Sequence, residues 1–174
     1  MKQYPFSNKE YAFGVCRIEP ENNIHLILEA FSQGSKMPLV MVGNWQHGKY
    51  GKDLKQKYLG MENIFLLDPI YDQTELNELR AHCTIYLHGH SCGGTNPSLV
   101  EAMYLGLPIA AFDINFNRET TEGKALYFNT PEDLRGIVDS ASHDTLKKIG
   151  ARMRAIAERR YTWSRIARLY ADLF

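Results

Sequence analysis

The sequence has no excess of charge of either sign. Lysine and arginine together number 20 among the 174 residues, and aspartate and glutamate also number 20. Proteins that bind nucleic acid or anionic lipid through their summed charge carry a basic excess, which is missing here. We therefore expect no nucleic-acid partner, and any anion that binds must be held by a local group of residues.

Cysteine is scarce, and long apolar runs are missing. Cys16, Cys83 and Cys92 are odd in number and form no CxxC pair, which fits a reducing compartment better than a disulfide framework. No apolar run reaches the ~20 residues that a transmembrane helix needs. Residues 1–10 contain no apolar signal-peptide core. These absences predict a cytoplasmic protein with no transmembrane segment.

Several motifs of well-known enzyme folds are also absent. The sequence contains no GxGxxG after its first strand-like run, no GxxxxGK[ST], no GxSxG and no HExxH. These motifs place phosphate-binding backbone, nucleophiles or metal ligands. Their absence disfavours a dehydrogenase, a P-loop enzyme and an α/β-hydrolase.

Short apolar runs alternate with helical patterns along most of the chain. The 44% of hydrophobic residues suffices for the core of one domain. The apolar runs predict strands at 11–16, 39–43, 64–67, 84–88, 108–112 and 125–128. Helical patterns lie between them at 24–31, 53–59, 74–81 and 97–105, and after Pro131 at 132–140, 145–160 and 163–173.

The strands at 39–43 and 108–112 are almost continuously apolar. Such strands are buried on both faces, as in a parallel sheet covered by helices. We predict an α/β fold, a doubly wound and mostly parallel sheet of about six strands with carboxyl-terminal helices. Ligands of such sheets bind beyond the carboxyl ends of the strands, which here means after Cys16, Gly43, Leu67, His88 and Phe112.

The densest candidate site runs from a strand end at His88 through a glycine-rich turn into a helix. Asn96 is a predicted N-cap with Pro97 as the first helical residue. Gly93 and Gly94 let a ligand approach the backbone, and the free N–H groups of the turn and helix attract phosphate or carboxylate. The alternative is an ordinary strand-to-helix turn.

Glu101 is one turn into this otherwise apolar helix. We expect its carboxylate to be buried and hydrogen-bonded, and a ribose offers a vicinal pair of hydroxyls to such a group. The alternative is that Glu101 meets an arginine or a backbone N–H at the surface.

Arg17 follows the first predicted strand directly, ahead of a helix that starts near Asn22 or Asn23. An arginine at this place points into the same crevice and suits a phosphate. The alternative is a salt bridge to Glu19 or Glu21.

Two further groups follow predicted strands. His88, His90 and Cys92 have a conceivable metal-binding spacing, but the glycines disfavour an extended run there, and we expect no metal. The segment 117–119 follows the fifth strand, so Glu119 either contacts a sugar hydroxyl or begins a short helix.

These residues together resemble the carboxyl-terminal domain of a two-domain glycosyltransferase of the GT-B fold, in the large retaining family numbered four, or group 1. Segment 17–31 is similar to the family's Arg-x-x-x-(Glu/Asp)-Lys-Gly segment and the Leu-x-Glu-Ala-Phe helix that follows it. Segment 97–108, PSLVEAMYLGLP, closely matches its strongest signature. Segments 117–119 and 161–163 also have counterparts, so the resemblance covers nearly the whole chain.

The resemblance implies a glycosyltransferase whose donor is a nucleoside diphosphate sugar, with a dTDP- or UDP-sugar favoured. It implies transfer with retention of configuration and neither a cofactor nor an obligatory metal. Arg17 would contact the diphosphate, Glu101 the ribose, and the amides of 93–95 the sugar and phosphates. We expect Arg17 and Glu101 to be the catalytic pair. The expected donor-binding residues are Arg17, Asn22, Gly43, Tyr71, Gly93, Gly94, Thr95, Asn96, Ser98, Glu101 and Glu119.

Base recognition is expected from backbone near 43–45 and 68–71. Tyr71 or Trp45 either stacks on the base or packs inside the fold.

Two positions depart from the family pattern. Gly93 stands where a second glutamate is common, eight positions before Glu101, and Asn22 stands where a diphosphate-binding lysine is usual. Both departures, with the runs 17–23 and 88–99, are similar to a bacterial branch associated with rhamnosyl transfer in surface polysaccharide synthesis.

The resemblance also implies a second domain. Residues 1–174 would be one domain, the carboxyl-terminal half of an enzyme whose amino-terminal domain binds the acceptor. Helix 162–174 would pack on that domain, and the full-length enzyme would be cytoplasmic or peripheral at the inner membrane. The alternatives are a nucleotide-sugar 2-epimerase on the same scaffold and a non-catalytic nucleotide-sugar-binding domain.

Overall fold

The computed structural model describes residues 4–6 and 8–172, without the side chain of Leu169. The strands are β1 (Ala12–Val15), β2 (Leu39–Val42), β3 (Ile64–Leu67), β4 (Ile85–His88), β5 (Ile109–Phe112) and β6 (Leu126–Phe128). The helices are α1 (Ile24–Ser32), α2 (Gly48–Tyr58), α3 (Gln73–Ala81), α4 (Pro97–Tyr104), α5 (Asn115–Thr120), α6 (Pro131–Ser140), α7 (His143–Arg160) and α8 (Trp163–Ala171). A 3-10 turn, Pro20–Asn22, precedes α1. The predicted helical residue 173 lies outside the described part.

The six strands form one sheet in the order β3-β2-β1-β4-β5-β6. Every neighbouring pair is parallel, so the predicted doubly wound parallel sheet is confirmed. The strand order reverses between β1 and β4, and in this architecture ligands bind in the crevice outside that reversal. A ligand site is therefore expected at the loops that follow β1 and β4.

Two apolar layers enclose the sheet, one on each face. Side chains of one face, including Ile85 and Leu87 of β4, pack with α1, α2 and α6. Tyr86 points to the other face, where it packs with α3, α4 and α7. This alternation explains why every residue of β4 is buried, including His88 at its end. Each fully buried large apolar side chain contributes about 1.5–3 kcal/mol.

Side-chain caps fix the starts of several helices. Asn96 Oδ1 accepts from the N–H of Ser98 at 3.0 Å, and Pro97 is the first residue of α4, which confirms the predicted N-cap. Asp72 caps α3 in the same manner. Such caps typically contribute about 1 kcal/mol each.

The structure departs from the predicted elements at the start of α2 and at α5 (Asn115–Thr120), a helix that was not among the predicted patterns. Helix α2 begins at Gly48, five residues before the predicted start at 53, because its first turn is glycine- and lysine-rich and has no apolar periodicity. Helix α1 begins at Ile24, as the pattern at 24–31 predicted, directly after Asn23, which has a left-handed φ of 49°. No helix in the described part of the chain is long and apolar enough to cross a membrane.

Candidate functional site

The loops that follow β1 and β4 are joined by direct hydrogen bonds. The N–H and the Oγ of Ser91 both donate to the carbonyl oxygen of Glu21, each at 2.8 Å. Asn23 Nδ2 donates to the carbonyl oxygen of Gly89 at 2.9 Å. The two loops therefore form a single floor at the point where the strand order reverses.

Gly89 makes this approach possible. A Cβ at Gly89 would lie 2.1 Å from the carbonyl oxygen of Asn22, a distance that no side chain tolerates. The loops would have to separate to accept any other residue. Gly89 was not among the predicted site residues, although its place immediately after β4 is typical of a close backbone approach.

Asn22 lies beneath this floor. Its side chain is buried, and its Nδ2 donates to the carbonyl oxygen of Arg17 at 2.7 Å. Asn22 thus fixes the backbone that carries Arg17. A direct contact from Asn22 to a donor, as predicted, would require this buried hydrogen bond to break.

Arg17 itself is exposed at the crevice. Within residues 4–6 and 8–172 its guanidinium makes no hydrogen bond and no ion pair. Glu19 instead lies 3.7 Å from Nε2 of His47, so the alternative of a salt bridge from Arg17 to Glu19 or Glu21 is not observed. An unpaired arginine here is available to an anion.

The glycine turn is open. Cys92, Gly93, Gly94 and Thr95 are all exposed, and a Cβ at either glycine would meet no atom within 4 Å. Gly93 has a φ of 106°, a conformation that disfavours other residues. The space over this backbone can therefore take a ligand that contacts N–H groups directly.

Ser98 and Asn96 contact each other at the start of α4. In addition to the backbone cap, Ser98 Oγ donates to Asn96 Oδ1 at 2.8 Å. Their side chains stabilise the helix end that follows the glycine turn, which keeps the first N–H groups of α4 oriented along the helix axis.

Glu101 is not buried as predicted. Its side chain is 56% exposed, and its Oε2 lies 2.8 Å from Nη1 of Arg80, so the alternative of an arginine partner is the observed one. Helix α4 turns Leu99, Ala102 and Met103 toward the sheet, whereas Glu101 lies on its outer side. The apolar neighbours misled the prediction because Tyr104 and Leu105 are themselves partly exposed.

Arg80, the partner of Glu101, was not among the predicted residues of the candidate site. Its side chain is 4% exposed, Nη1 also donates to Asn77 Oδ1 at 3.2 Å, and Nε has no partner in the described part of the chain. The signal was present, because Leu76, Leu79 and Arg80 have the spacing of one buried helix face. A buried guanidinium requires a counter-charge, which Glu101 supplies.

His88 and His90 stack at the carboxyl end of β4. Their ring centroids are 4.3 Å apart with an interplanar angle of 10°. Burial and the neighbouring His90 hold the pKa of His88 well below its usual value. Burial, followed by the charge of Arg17, lowers the pKa of His90 to about 4, although Glu21 opposes this shift. Both rings are therefore neutral near pH 7.

Helix α5 is held against the same loops. Asn117 is buried, and its Nδ2 donates to the carbonyl oxygens of His90 and Phe112, both at 2.9 Å. Thr120 Oγ1 lies 3.4 Å from Thr95 Oγ1. Glu119 lies within this short helix, which begins at Asn115, and is exposed.

Of the residues predicted to lie near the nucleotide base, two are packed inside the fold and one is exposed. A Cβ at Gly43 would lie 2.7 Å from the carbonyl oxygen of Cys16, so Gly43 permits close backbone packing. Trp45 is buried and donates from Nε1 to the carbonyl oxygen of Leu67 at 2.9 Å, which makes it a packing residue. Tyr71 is 84% exposed and is free to contact a ligand.

Within the described part of the chain, the crevice brings together the unpaired guanidinium of Arg17, the free backbone N–H groups of the glycine turn and the neutral imidazole of His90. The carboxylate of Glu101 lies one turn into α4, the helix that follows this turn. Among the described residues, no group of three or more histidine, cysteine, aspartate or glutamate side chains could hold a metal ion. This arrangement suits a phosphorylated ligand that also carries hydroxyl groups.

Several solved structures share the fold. The Anabaena protein Alr3699/HepE in complex with UDP has a TM-score of 0.82 at 22% identity, covering 96% of this chain and 49% of its own. Its complex with UDP-glucose gives a TM-score of 0.83 at 22% identity, with the same coverage of 96% and 49%. Sucrose-phosphate synthase (tll1590) from Thermosynechococcus elongatus gives 0.79 at 18% identity, covering 96% and 46%. This chain spans about half the length of these structures.

No curated protein matches the sequence. Residues 1–160, by contrast, match the family described as glycosyl transferases group 1.

Proposed function

Because this chain belongs to the glycosyl transferases group 1 family, we propose that it binds a nucleoside diphosphate sugar as the donor half of a glycosyltransferase. One observation carries the proposal. Arg17, unpaired within the described residues, lies at the reversal of strand order, beside an open glycine turn that leads into α4. A cation and free N–H groups at this point favour a diphosphate.

Each group has a role in this proposal. Arg17 and the N–H groups of 93–95 contact the diphosphate, and Glu101 contacts the ribose. Oε2 of Glu101 pairs with Arg80, while the exposed side chain leaves its other oxygen open to a hydroxyl. Arg80 therefore orients the carboxylate from below, and Glu119 and Tyr71 contact the sugar and the base.

The proposed reaction is transfer of the glycosyl group with retention of configuration to a saccharide or polysaccharide precursor. The bond between the anomeric carbon and the diphosphate oxygen breaks, and negative charge grows on the leaving diphosphate. Fixed N–H dipoles and an arginine stabilise that charge without having to reorganise during the reaction. Arg17 and Glu101 thus act by positioning the donor and stabilising its leaving group.

The acceptor and a second domain complete the proposal. Trp163 is 85% exposed and Tyr170 is 65% exposed on α8. We propose that α8 packs on an amino-terminal acceptor-binding domain. The 174-residue chain alone then binds donor weakly and transfers no sugar.

The narrower proposal is a dTDP- or UDP-linked donor, with rhamnosyl transfer in bacterial surface polysaccharide synthesis as its most specific form. Its support is sequence similarity in the runs 17–23 and 88–99. The structure adds a reason for one of those positions, because Asn22 supports Arg17 from within the fold.

Calorimetric titration with UDP, GDP, dTDP and ADP tests the proposal. We expect saturable binding of one nucleotide, weakened about tenfold in Arg17→Gln because a charged hydrogen bond is lost. Arg135→Gln is a matched control, since Arg135 is partly exposed and donates to Gln33, directly after the carboxyl end of α1. Binding of no nucleotide, or equal loss in both variants, would contradict the proposal.

A further inference from the structure

We propose that His90 donates a hydrogen bond from Nε2 to the diphosphate of the bound nucleotide, as a second side-chain donor beside Arg17. This inference rests on the proposed function and deepens it. Of the two side chains predicted to bind the diphosphate, Arg17 has no partner within residues 4–6 and 8–172, whereas Asn22 is buried against the Arg17 backbone. A diphosphate carries more negative charge than one guanidinium balances, so a further donor is expected nearby.

The position of His90 supports this role. It lies two residues after the end of β4, at the reversal of strand order, in the loop that is hydrogen-bonded to the loop of Arg17 through Ser91 and Glu21. Its carbonyl oxygen accepts from Asn117 at 2.9 Å, and its ring stacks on His88 at 4.3 Å. Backbone and ring are thus both fixed, which is the condition for a preorganised donor.

The burial of the two nitrogens of the His90 imidazole indicates which of them can donate to a ligand. Nδ1 of His90 is buried and has no hydrogen-bond partner among the described residues, while the residue as a whole is only partly buried. The ring can therefore present Nε2, and not Nδ1, to a ligand in the crevice.

Charges around the ring favour a neutral donor that an anion can polarise. Arg17 and Glu21 are the charged groups that act on His90, with opposite effects, and His88 beneath it is neutral. A bound diphosphate would oppose the effect of Arg17 and strengthen the N–H donor. Burial of unpartnered imidazole nitrogen costs stability, so an apolar residue would pack better here if packing were the only role.

Two isosteric replacements separate the two ring nitrogens. The amide nitrogen of glutamine reaches the place of Nε2, whereas that of asparagine reaches only the place of Nδ1. With the best-binding of UDP, GDP, dTDP and ADP at pH 7.5, we expect His90→Gln to keep affinity within about threefold and His90→Asn to lose about tenfold. His143→Gln is the control, because His143 pairs with Glu10 at the amino end of the sheet.

The outcomes distinguish this inference from the function on which it rests. Binding of no nucleotide by the wild-type chain overturns the proposed function and the inference with it. Wild-type binding with equal affinity in His90→Asn overturns the inference alone. If His90→Asn lost affinity for the nucleotide sugar but not for the nucleoside diphosphate, the ring would lie against the sugar, and this result would likewise overturn the inference. Thermal unfolding of each variant confirms that it is folded at the titration temperature.

Discussion

Replacing Glu101 by alanine removes the carboxylate that pairs with the guanidinium of Arg80, whose side chain is only 4% exposed. Arg80 then keeps its bond to Asn77, but its buried charge has no counter-charge. Removing one partner of a fully buried pair costs about 3–5 kcal/mol. Because Glu101 is 56% exposed, water reaches the vacated place, and we expect a loss of about 1–2 kcal/mol.

The assay is thermal unfolding followed by circular dichroism. For a chain of this size each kcal/mol corresponds to about 2–4 °C in Tm, so Glu101→Ala should lower Tm by about 2–8 °C. Glu158→Ala is a matched control, because Glu158 forms an ion pair of the same 2.8 Å length with Arg154, whose side chain is 62% exposed. The control should change stability by less than about 0.5 kcal/mol.

A double-mutant cycle with Arg80→Met isolates the interaction between the two side chains. We expect a coupling energy of about 1 kcal/mol, since the residues are in direct contact. Equal Tm values for wild type and Glu101→Ala, with no coupling to Arg80, would refute the reasoning. A nucleotide titration of Glu101→Ala is interpretable only beside this measurement, because loss of affinity and loss of stability have the same origin.

Two further predictions follow from the loops and the histidines. Gly89→Ala should destabilise the fold by about 2–4 kcal/mol in urea unfolding, because its Cβ would meet the Asn22 carbonyl oxygen at 2.1 Å. Gly94→Ala should leave the free energy of unfolding unchanged, because a Cβ at Gly94 would meet no atom within 4 Å. Equal destabilisation by the two variants would contradict the close contact between the loops. His90 has a pKa of about 4 in the fold against 6.5 ordinarily, so the unfolded chain binds the proton first. Stability should therefore fall from pH 6.5 toward pH 4, less steeply in His90→Gln, and a Tm that is unchanged over this range would contradict the burial of the ring.

The sheet was predictable because its determinants are local in sequence. Apolar runs such as 39–43 indicate strands buried on both faces, and the alternation with helices specifies parallel pairing. The start of α2 was not predictable from periodicity, since residues 48–52 place glycine and lysine where a helix usually shows apolar spacing.

The candidate site was predictable in place but not in detail. Strand ends located Arg17 and the glycine turn correctly, because parallel strands bring their carboxyl ends to one edge. The prediction that Glu101 is buried was wrong, because apolar neighbours on a helix do not reveal which side of the helix faces the sheet. Its partner Arg80 is 21 positions away on another helix, and such a pairing depends on tertiary packing that the sequence alone does not encode locally.

The hydrogen bonds of Ser91 and Asn117 have a consequence for engineering. Ser91 ties the loop after β4 to the loop after β1, and Asn117 ties it to the end of β5. Three segments distant in the chain are thus hydrogen-bonded to one another, so one loop exchanged alone would lose the contacts that hold its conformation. Under the proposed function, a change of donor preference by grafting would have to transfer segments 17–23, 89–96 and 115–120 together, whereas the side chain of Tyr71, which is 84% exposed, could be replaced by itself.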